Sequence, residues 1–470
     1  MPNAVLFADI PDAVIGFIVL AVVVVVAIAV AVAKLAALAR LVNRHLGTDW
    51  RTGTVLTRPV PNWERVNLFL ALEALREQDP AAPPVVSFGY YNELAQGLTM
   101  GANRQMPLEY AVRATSLTTT TKVVAAGLYF LKLPDGKPFV ALLSRGFLET
   151  LASTPEESQA ALDRVLHEAA KRNVYRGQVV TIENTQYMGD EIGQDYQIVF
   201  HDMPAVPRSE IVLPEDVLKV VERNVIGLLT HAETLRRAGR GTRHGVLFHG
   251  PPGVGKTLVT KYLARACPNY TVILMSGRQL RFVRESCQLA KLLQPALIVI
   301  EDVDLIATDR SQNFDTTLLH ELMDEMDGLG TKADVIFLLT TNRPRALEGA
   351  LATRPGRVDQ AIYFPLPDRD CRKRLFDHFS RGLDLSAVDV EPLLDKTDGA
   401  SPAFIGELFR KAALMAAERG EQSDPLKLTT ADFTAAIREL IEFGGALTQQ
   451  LLGYRSDPDA GGQHFGFVTK

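Results

Sequence analysis

The stretch that decides the fold of this chain is Gly250-Pro251-Pro252-Gly253-Val254-Gly255-Lys256-Thr257. It matches the pattern GxxxxGK[ST] at every defined position, follows an apolar strand pattern at 245–249 and precedes a helical pattern that begins at Leu258. Glycines let such a loop close around phosphate groups, so that backbone N–H groups and the helix N-terminus point at the anion. A chance glycine-rich turn is the alternative, and the strand and helix on either side argue against it. The stretch therefore predicts a nucleoside triphosphate site in an α/β P-loop fold with a parallel sheet.

The predicted nucleotide contacts extend over nine residues, from the first glycine of the loop to the first residue after the motif. In this arrangement the Lys256 ammonium would neutralise the β- and γ-phosphates, and the Thr257 hydroxyl would be a ligand of Mg²⁺. We therefore expect ATP and Mg²⁺ to bind here. The predicted contacts are Gly250, Pro251, Pro252, Gly253, Val254, Gly255, Lys256, Thr257 and Leu258.

Acidic and polar residues follow the next two buried-strand patterns of the chain. The apolar run 297–300 ends in Glu301 and Asp302, and the run 335–339 is followed by Thr340, Thr341 and Asn342. The carboxyl ends of parallel strands beside a P-loop are where Mg²⁺ and the attacking water are held. Glu301, Asp302 and Asn342 are therefore candidate catalytic residues, with Glu301 beside Thr257 as the predicted metal site.

With these motifs the chain resembles the AAA family of ATPases over about residues 211–440. The motifs are GPPGVGKT, the acidic strand end, EMDGL at 325–329, Thr340-Thr341-Asn342, and RPGRVDQAIYFPLPD from Arg354. The resemblance implies a P-loop sheet followed by a small α-helical lid, in a ring that usually has six subunits. It also implies that Asn342 is the sensor-1 residue and that Arg354 and Arg357 are arginine fingers acting on a neighbour's nucleotide. The expected partner is therefore another copy of the chain.

The order of the two strand-end acids departs from the family pattern, which usually has Asp followed by Glu. Here Glu301 precedes Asp302, so Glu301 becomes the residue near Mg²⁺ and Asp302 the general base, with a side chain one methylene shorter. Unless water approaches more closely, this order predicts slow hydrolysis. The same order is found in the family branch that includes the mitochondrial inner-membrane AAA translocase of respiratory complex III assembly.

A second departure concerns the segment that resembles the first pore loop of the family, in which an aromatic residue, an aliphatic residue and a glycine grip a polypeptide. Phe282 and Val283 match the first two positions, but Arg284 replaces the glycine. We therefore expect Phe282 and Val283 to contact a protein substrate. The alternative is that Phe282 packs in the core, where single aromatic residues are often found.

The N-terminal part of the chain contains an apolar run at 13–33 without a charged or hydrogen-bonding side chain. As a helix it would be about 30 Å long, which is the thickness of a bilayer's hydrocarbon core. A cleaved signal peptide, a buried soluble helix and a long strand are the alternatives. Basic residues follow the run and none precedes it, which predicts an extracytoplasmic segment at 1–12 and an ATPase in the cytoplasm. A bacterial inner membrane is the expected location, with the mitochondrial inner membrane, matrix side, as the alternative.

The rest of the chain divides by its patterns into four further segments. The helix is expected to continue to about residue 46, and 48–207 reads as an α+β domain of unknown role with a hairpin at 128–143 and a helix at 154–171. A boundary at 201–207 is followed by the large ATPase subdomain at 208–370, the helical lid at 371–443 and a flexible tail at 444–470.

Composition and missing motifs exclude several classes of protein. Fifty Lys and Arg against 55 Asp and Glu give a net charge of −5, which disfavours a nucleic-acid motor. The three cysteines form no CxxC pair, as expected for a reducing compartment. Neither His167-Glu168 nor His320-Glu321 continues into HExxH, so no protease motif is present. The C-terminus lacks the penultimate tyrosine with which proteasomal AAA rings dock on a peptidase.

The resulting hypothesis is a membrane-anchored ring ATPase that remodels, unfolds or translocates a protein substrate. The alternative is a scaffold that binds ATP to assemble at the membrane and hydrolyses little of it, which the reversed acids and the altered pore loop favour.

Overall fold

The computed structural model describes residues 22–23, 38–87, 93–100, 107–184, 196–306, 315–330, 333–345, 347, 358–443, 445, 448–449 and 452–454. Among these residues no helix is long and apolar enough to cross a bilayer. The predicted membrane span at 13–33 lies outside them, apart from Val22 and Val23. The chain divides into two compact units. Unit 1 comprises Met1–Val174 and Asn184–Gln197, and unit 2 comprises Tyr175–Glu183 and Ile198–Lys470. Strands that cross these bounds are described with the sheet that they join.

The described residues of unit 1 form a five-stranded sheet, a two-stranded hairpin and four α-helices. Its helices are α1 (38–46), α2 (Arg65–Glu77), α3 (Leu94–Met100) and α4 (Pro155–Lys171). Its strands are β1 (Thr54–Pro59), β2 (Val86–Ser87), β3 (Tyr110–Ala114), β4 (Thr120–Val124), β5 (Gly127–Lys132), β6 (Pro138–Leu143) and β7 (Phe147–Ala152). The large sheet has the order β1-β7-β6-β5-β2 with antiparallel neighbours, and β3 pairs with β4 in a separate two-stranded sheet.

Two local predictions for unit 1 are confirmed. Strands β5 and β6 form the predicted hairpin, in register from Gly127–Leu143 to Lys132–Pro138. Helix α4 begins after Thr154, whose side chain accepts a hydrogen bond from the Glu157 N–H, with Pro155 in the first helical position. Both elements follow from short-range signals, a Pro-Asp-Gly turn and an N-cap, which tertiary packing did not override.

Unit 2 is built on a seven-stranded sheet of order β14-β10-β13-β12-β11-β8-β9. Its strands are β8 (Val179–Asn184), β9 (Tyr196–Phe200), β10 (His244–His249), β11 (Thr271–Ser276), β12 (Ala296–Glu301), β13 (Val335–Thr341) and β14 (Gln360–Tyr363). The six strands from β14 to β8 are parallel to their neighbours, which confirms the predicted parallel α/β sheet. Strands β12 and β13 are almost wholly buried, as expected for apolar runs covered on both faces.

The helices of unit 2 before and beside this sheet are α5 (Glu215–Glu222), α6 (Leu228–Thr230), α7 (Ala232–Arg237), α8 (Lys256–Ala266), α9 (Val283–Leu292) and α10 (Asp315–Gly328). A π-helical turn at Arg223–Gly227 joins α5 to α6. One apolar cluster includes residues of α5, α8 and the inner strands, among them Leu218, Val259 and Phe248. This cluster fixes the P-loop helix against the sheet.

The last two strands of this order, β8 and β9, lie in the sequence before the boundary predicted at 201–207. Val179 and Val180 are in parallel register with Val272 and Ile273 of β11, so this part of the chain extends the ATPase sheet. The division at Val174 and Tyr175 therefore falls earlier than the prediction. Sequence patterns alone did not indicate which sheet these strands would join, because strand pairing is a tertiary property.

The helical lid contains α11 (Arg369–Phe379), α12 (Val390–Lys396), α13 (Pro402–Glu418) and α14 (Thr430–Arg438), with a short parallel pair of β15 (Leu383–Ala387) and β16 (Leu426–Thr429). Part of the segment predicted to be a flexible tail packs on this lid. Tyr454 is buried and stacks on Phe404, with ring centroids 4.7 Å apart. The expectation of a flexible tail is therefore corrected at 452–454, because an aromatic side chain there completes the core of the lid.

Candidate functional site

The loop between β10 and α8 has backbone angles that favour glycine at three positions. Gly250, Gly253 and Gly255 have φ values of +150°, +75° and +95°. A Cβ on Gly250 would lie 2.3 Å from the Phe364 carbonyl oxygen, so any side chain there would displace the loop from the sheet. Gly255 immediately precedes α8, and the helix N-terminus therefore faces the loop, as an anion site requires.

The Lys256 side chain lies inside this loop and is nearly buried, with 6% of its surface exposed. Its Nζ donates hydrogen bonds to the carbonyl oxygens of Gly250 and Pro251, each at 2.8 Å. Burial lowers the pKa of Lys256 to about 8, against the opposing attraction of Asp302 and Asp304. A buried ammonium cradled by carbonyl oxygens fits the binding of a phosphate chain, which would supply the missing negative charge.

Thr257 and Glu301 meet where α8 begins and β12 ends. Burial has the largest effect on the Glu301 carboxyl and raises its pKa, the charge of Asp302 raises it further, and the neighbouring Thr257 hydroxyl opposes the shift. No cluster of three or more His, Cys, Asp or Glu side chains that could hold a metal occurs in the described part of the chain. These two oxygen donors nevertheless fit Mg²⁺, which usually takes few protein ligands and completes its shell with water and phosphate oxygens.

Asp302 and Asn342 lie opposite each other at the ends of the neighbouring strands β12 and β13. Asn342 Nδ2 donates to Asp302 Oδ1 at 3.2 Å, and the Asp302 N–H donates to Thr340 Oγ1 at 3.1 Å. Asp302 has a φ of +49°, the only non-glycine residue with positive φ among those described. Such a conformation is uncommon and is concentrated at functional sites.

Burial and then the neighbouring charge of Asp304 raise the pKa of Asp302. A carboxylate whose pKa is raised towards neutral pH accepts a proton from water more readily than an exposed one. Its hydrogen bond from Asn342 fixes the side chain in one orientation. The geometry therefore allows Asp302 to accept a proton while Asn342 orients the Asp302 carboxylate.

Sequence reasoning missed Asp304, which is 6% exposed and connects the two strand ends. Its Oδ1 accepts hydrogen bonds from Thr341 Oγ1 at 2.7 Å and from the Asn342 N–H at 3.3 Å. Thr341 Oγ1 in turn accepts from the Arg343 N–H at 2.9 Å. A third acid two positions after Asp302 was the available signal, but only the strand order places it under Asn342.

The structure places the predicted pore-loop residues in the core. Phe282 ends a 3₁₀ helix at Gly277–Phe282 and is 4% exposed, and Val283 begins α9 and is 1% exposed. Arg284, in place of the family's glycine, forms ion pairs with Glu321 at 3.3 Å and Glu325 at 3.6 Å on α10. In this arrangement neither Phe282 nor Val283 can contact a polypeptide, so the prediction is corrected in favour of core packing.

Of the other predicted residues, Arg354 and Arg357 lie outside the described part of the chain. Leu258 is 40% exposed on the first turn of α8, where it is free to contact a ligand. The Pro252 and Val254 positions complete the loop, and Val254 is buried in the core beneath it.

The lid also contacts the loop directly. The Ala403 N–H at the start of α13 donates to the Gly253 carbonyl oxygen at 3.2 Å. Ser401 Oγ donates to the Leu452 carbonyl oxygen and accepts from the Phe404 N–H. A Cβ on Gly453 would lie 2.2 Å from the Pro252 carbonyl oxygen. The 452–454 segment therefore joins the lid to the phosphate-binding loop, a contact that the sequence did not indicate.

Comparison with known proteins also indicates an ATPase domain around this loop. Residues 246–366 match the family model described as "ATPase family associated with various cellular activities (AAA)". The human ATPase family gene 2 protein homolog A is 36% identical over 237 residues, which are 47% of this chain and 26% of that protein.

Two archaeal relatives cover slightly more of the chain. The cell division cycle protein 48 homolog of Archaeoglobus fulgidus is 31% identical over 51% of this chain and 36% of its own length. The proteasome-activating nucleotidase of Thermococcus onnurineus is 33% identical over 53% of this chain and 65% of its own length. The chain thus covers from about a quarter to under two thirds of these relatives, and the AAA ATPase similarity supports ATP hydrolase activity.

Proposed function

We propose that this chain, which contains an ATPase domain of the AAA family, is a membrane-anchored ring ATPase that uses ATP hydrolysis to remodel, unfold or translocate a protein. The observation that carries the proposal is the arrangement of Lys256, Asp302 and Asn342 around one loop, with Glu301 beside Thr257. One of the relatives is a proteasome-activating nucleotidase, and we extend from it to this chain the use of a nucleotide in handling proteins.

In the proposed mechanism, Lys256 and the loop N–H groups bind the phosphate chain of ATP. Asp302 accepts the proton of the attacking water, and Asn342 holds that carboxylate in place through its 3.2 Å hydrogen bond. Mg²⁺, held by Thr257 and through Glu301, would neutralise charge on the phosphate oxygens. Arg354 and Arg357 are proposed to complete the site of the adjacent subunit in a hexamer.

The membrane anchor is proposed from the sequence, with 13–33 as the span. The basic residues that follow it favour an ATPase on the cytoplasmic side, in a bacterial inner membrane or, by the same topology, on the matrix side of a mitochondrial one. The substrate is proposed to be a protein, since the acidic balance of the chain disfavours nucleic acid.

A nucleotide-gated scaffold is the second candidate, and two observations favour it. Phe282 is buried, so the side chain expected to grip a substrate is not available. Asp302, with its short side chain, takes the place of the usual glutamate. The two candidates differ in ATP turnover, which the following experiment measures.

Steady-state turnover of the full-length protein in nanodiscs would be measured against protein concentration, for the wild type, Asp302→Asn and Arg354→Ala. We expect turnover per chain to rise with assembly. Loss of a general base lowers turnover by about 10²- to 10⁴-fold, and Asp302→Asn should still bind ATP. Arg381→Ala, a change at an exposed lid arginine, serves as the control and should keep wild-type turnover.

Mixing the two inactive variants tests whether the finger acts on a neighbour. An Arg354→Ala subunit keeps Asp302, and an adjacent Asp302→Asn subunit supplies Arg354, so about a quarter of the sites in randomly mixed rings should be active. Recovered turnover supports the trans arrangement, whereas mixtures as inactive as the parents contradict it. An assembled ring that binds ATP tightly without turnover would favour the scaffold instead.

A further inference from the structure

We propose that the β3–β4 hairpin of unit 1, residues 109–124, inserts its outer face and tip into the interface of an anionic lipid bilayer. The proposal deepens the function proposed above and rests on the membrane anchor at 13–33. It concerns a surface that plays no part in the nucleotide site.

The exposed apolar side chains of unit 1 are concentrated on this hairpin. From residue 38 on, the large hydrophobic residues that the described part of unit 1 exposes are Tyr110, Val112 and Leu117, at 52%, 63% and 52%. The same unit buries its other large apolar residues well, with Leu38, Val42 and Phe130 wholly inaccessible to solvent. Three exposed apolar side chains within eight positions indicate a surface that another phase or molecule covers.

The alternation of the strands places these side chains on one face. In β3, exposure alternates so that Tyr110, Val112 and Ala114 face solvent. Their antiparallel register sets Lys122 directly beside Val112 and Thr120 beside Ala114. A tyrosine, aliphatic residues and a lysine on one face are the composition of an interfacial segment, in which the amine reaches the headgroups above the apolar side chains.

The tip of the hairpin is held in shape by its own hydrogen bonds. Ser116 Oγ accepts from the N–H groups of Thr118 and Thr119 at 3.2 and 3.1 Å, and the Thr115 N–H donates to the Thr119 carbonyl oxygen at 2.9 Å. Leu117 lies at the centre of this turn. Its outward position is therefore built into the turn and does not need to form upon binding.

The charges of the hairpin and of α1 suit an anionic surface. Between Tyr110 and Lys122 the sequence contains no acid, and Glu109 at the base is paired with Arg145 at 3.5 Å. Lys122 is the basic residue on the exposed face, whereas Arg113 lies on the other face and donates a hydrogen bond to Asn62 Oδ1 at 2.9 Å. On α1, Arg40 and Arg44 are exposed one helical turn apart, while Leu38 and Val42 face the core. Basic residues of this kind each attract anionic lipid by about 1 kcal/mol when close to the surface.

The tether restricts how far unit 1 can lie from the bilayer. Four residues, 34–37, separate the proposed span from α1, which is about 14 Å at full extension. Unit 1 is therefore held beside the headgroups. A lipid surface is thus the occupant that this position and these charges favour over a second copy of the chain or a soluble protein.

The experiment attaches an environment-sensitive fluorophore to Leu117→Cys in the full-length protein, held in nanodiscs that contain phosphatidylglycerol. The native thiols Cys267, Cys287 and Cys371 are buried, and burial raises the pKa of each above that of a free thiol, so labelling is directed to the new cysteine. The matched control is Asp135→Cys, at the polar tip of the β5–β6 hairpin in the same unit. Lipids that carry a bromine quencher report contact with the bilayer.

We expect the Leu117→Cys label to emit at shorter wavelength and to be quenched by brominated lipid, with neither effect at Asp135→Cys. Adding Val112→Glu should return the Leu117→Cys label to an aqueous spectrum. Equal behaviour of the two labels, whether both are aqueous or both quenched, would overturn the proposal, and so would a label that becomes protected only when ATP drives assembly.

Two further readouts separate this proposal from the one on which it rests. Retention in the disc after a carbonate wash tests the anchor, and ATP turnover of the labelled protein tests the enzyme. A retained, active protein with an aqueous hairpin refutes the hairpin proposal alone. A protein lost from the disc refutes the anchor and the hairpin proposal together, and leaves the ATPase as it stands.

Discussion

Replacement of Asp304 tests whether the strand ends work as one unit. This carboxylate accepts hydrogen bonds from the Thr341 hydroxyl and the Asn342 N–H, and acts through Asn342 as a positioning residue. Asp304→Ala removes both hydrogen bonds, and Asp304→Asn removes the charge but keeps an oxygen that can accept them. The pair of variants therefore separates geometry from electrostatics.

The expected losses of stability and of turnover in Asp304→Ala follow from its two hydrogen bonds, to Thr341 and to the Asn342 N–H. A hydrogen bond to a charged group contributes about 1.5–3 kcal/mol. The Thr341 bond is internal to the fold, so its loss lowers the free energy of unfolding. The Asn342 N–H bond orients the side chain that holds Asp302, and its loss should raise the barrier by a similar amount, which is about a 10- to 150-fold fall in kcat for Asp304→Ala. KM for ATP should change little.

Asp304→Asn should give a different signature. The Asp304 charge raises the pKa of Asp302, so its removal lowers that pKa. The acidic limb of the plot of kcat against pH should therefore move to lower pH, with a smaller fall in kcat than in Asp304→Ala. Steady-state turnover from pH 5 to 9, beside binding of a fluorescent ATP analogue, measures both effects. Wild-type kcat in folded Asp304→Ala, or an equal loss of ATP binding, would refute the reasoning.

Four further predictions concern Lys256, Tyr454 and Phe282. Burial lowers the pKa of Lys256 to about 8, so the protein should take up a proton when it binds ATP at pH 8–9. Calorimetry in buffers of different ionisation enthalpy measures this uptake. If no proton is taken up, the argument that burial lowers the pKa of Lys256 is wrong. The same shift means that the unfolded state binds more protons between pH 8 and the normal lysine range, so the ligand-free protein should gain stability as pH rises through that window. Tyr454→Ala should destabilise the lid by about 3 kcal/mol and lower its Tm, while Tyr363→Ala, at an exposed position, should not. Phe282→Ala should lower stability by about 3–5 kcal/mol with turnover retained in the folded protein, and a stable variant that loses only substrate processing would restore the pore-loop interpretation.

Much of the nucleotide site was predictable because its chemistry depends on short sequence patterns. The 250–257 loop needs glycine at fixed positions, and Gly250, Gly253 and Gly255 have the positive φ values that explain them. Apolar runs ending in acids and an amide predicted strands β12 and β13, and the parallel register brings Asp302 and Asn342 within 3.2 Å. These are short sequence patterns, and the folded chain keeps the local structure that they predict.

Features that depend on which distant segments meet were not predictable in the same way. The sequence around a phenylalanine in a loop does not show whether its side chain is exposed or buried. Phe282 is buried because of how the folded chain packs around it. Sequence patterns can indicate that β8 and β9 are strands, but they do not show which sheet the strands join, because that depends on strand pairing in the folded chain.

The sequence by itself determined the P-loop, the acids and amide at the strand ends, the hairpin of β5 and β6 and the N-terminus of α4, because backbone angles, caps and period-two patterns act over a few residues. Only the tertiary structure decided that Asp304 holds the Asn342 backbone, that Tyr454 completes the lid and that the lid touches the loop at Gly253. Each of these contacts joins residues that are tens to hundreds of positions apart, and burial and hydrogen bonding in the folded chain select them from many equivalent sequence partners.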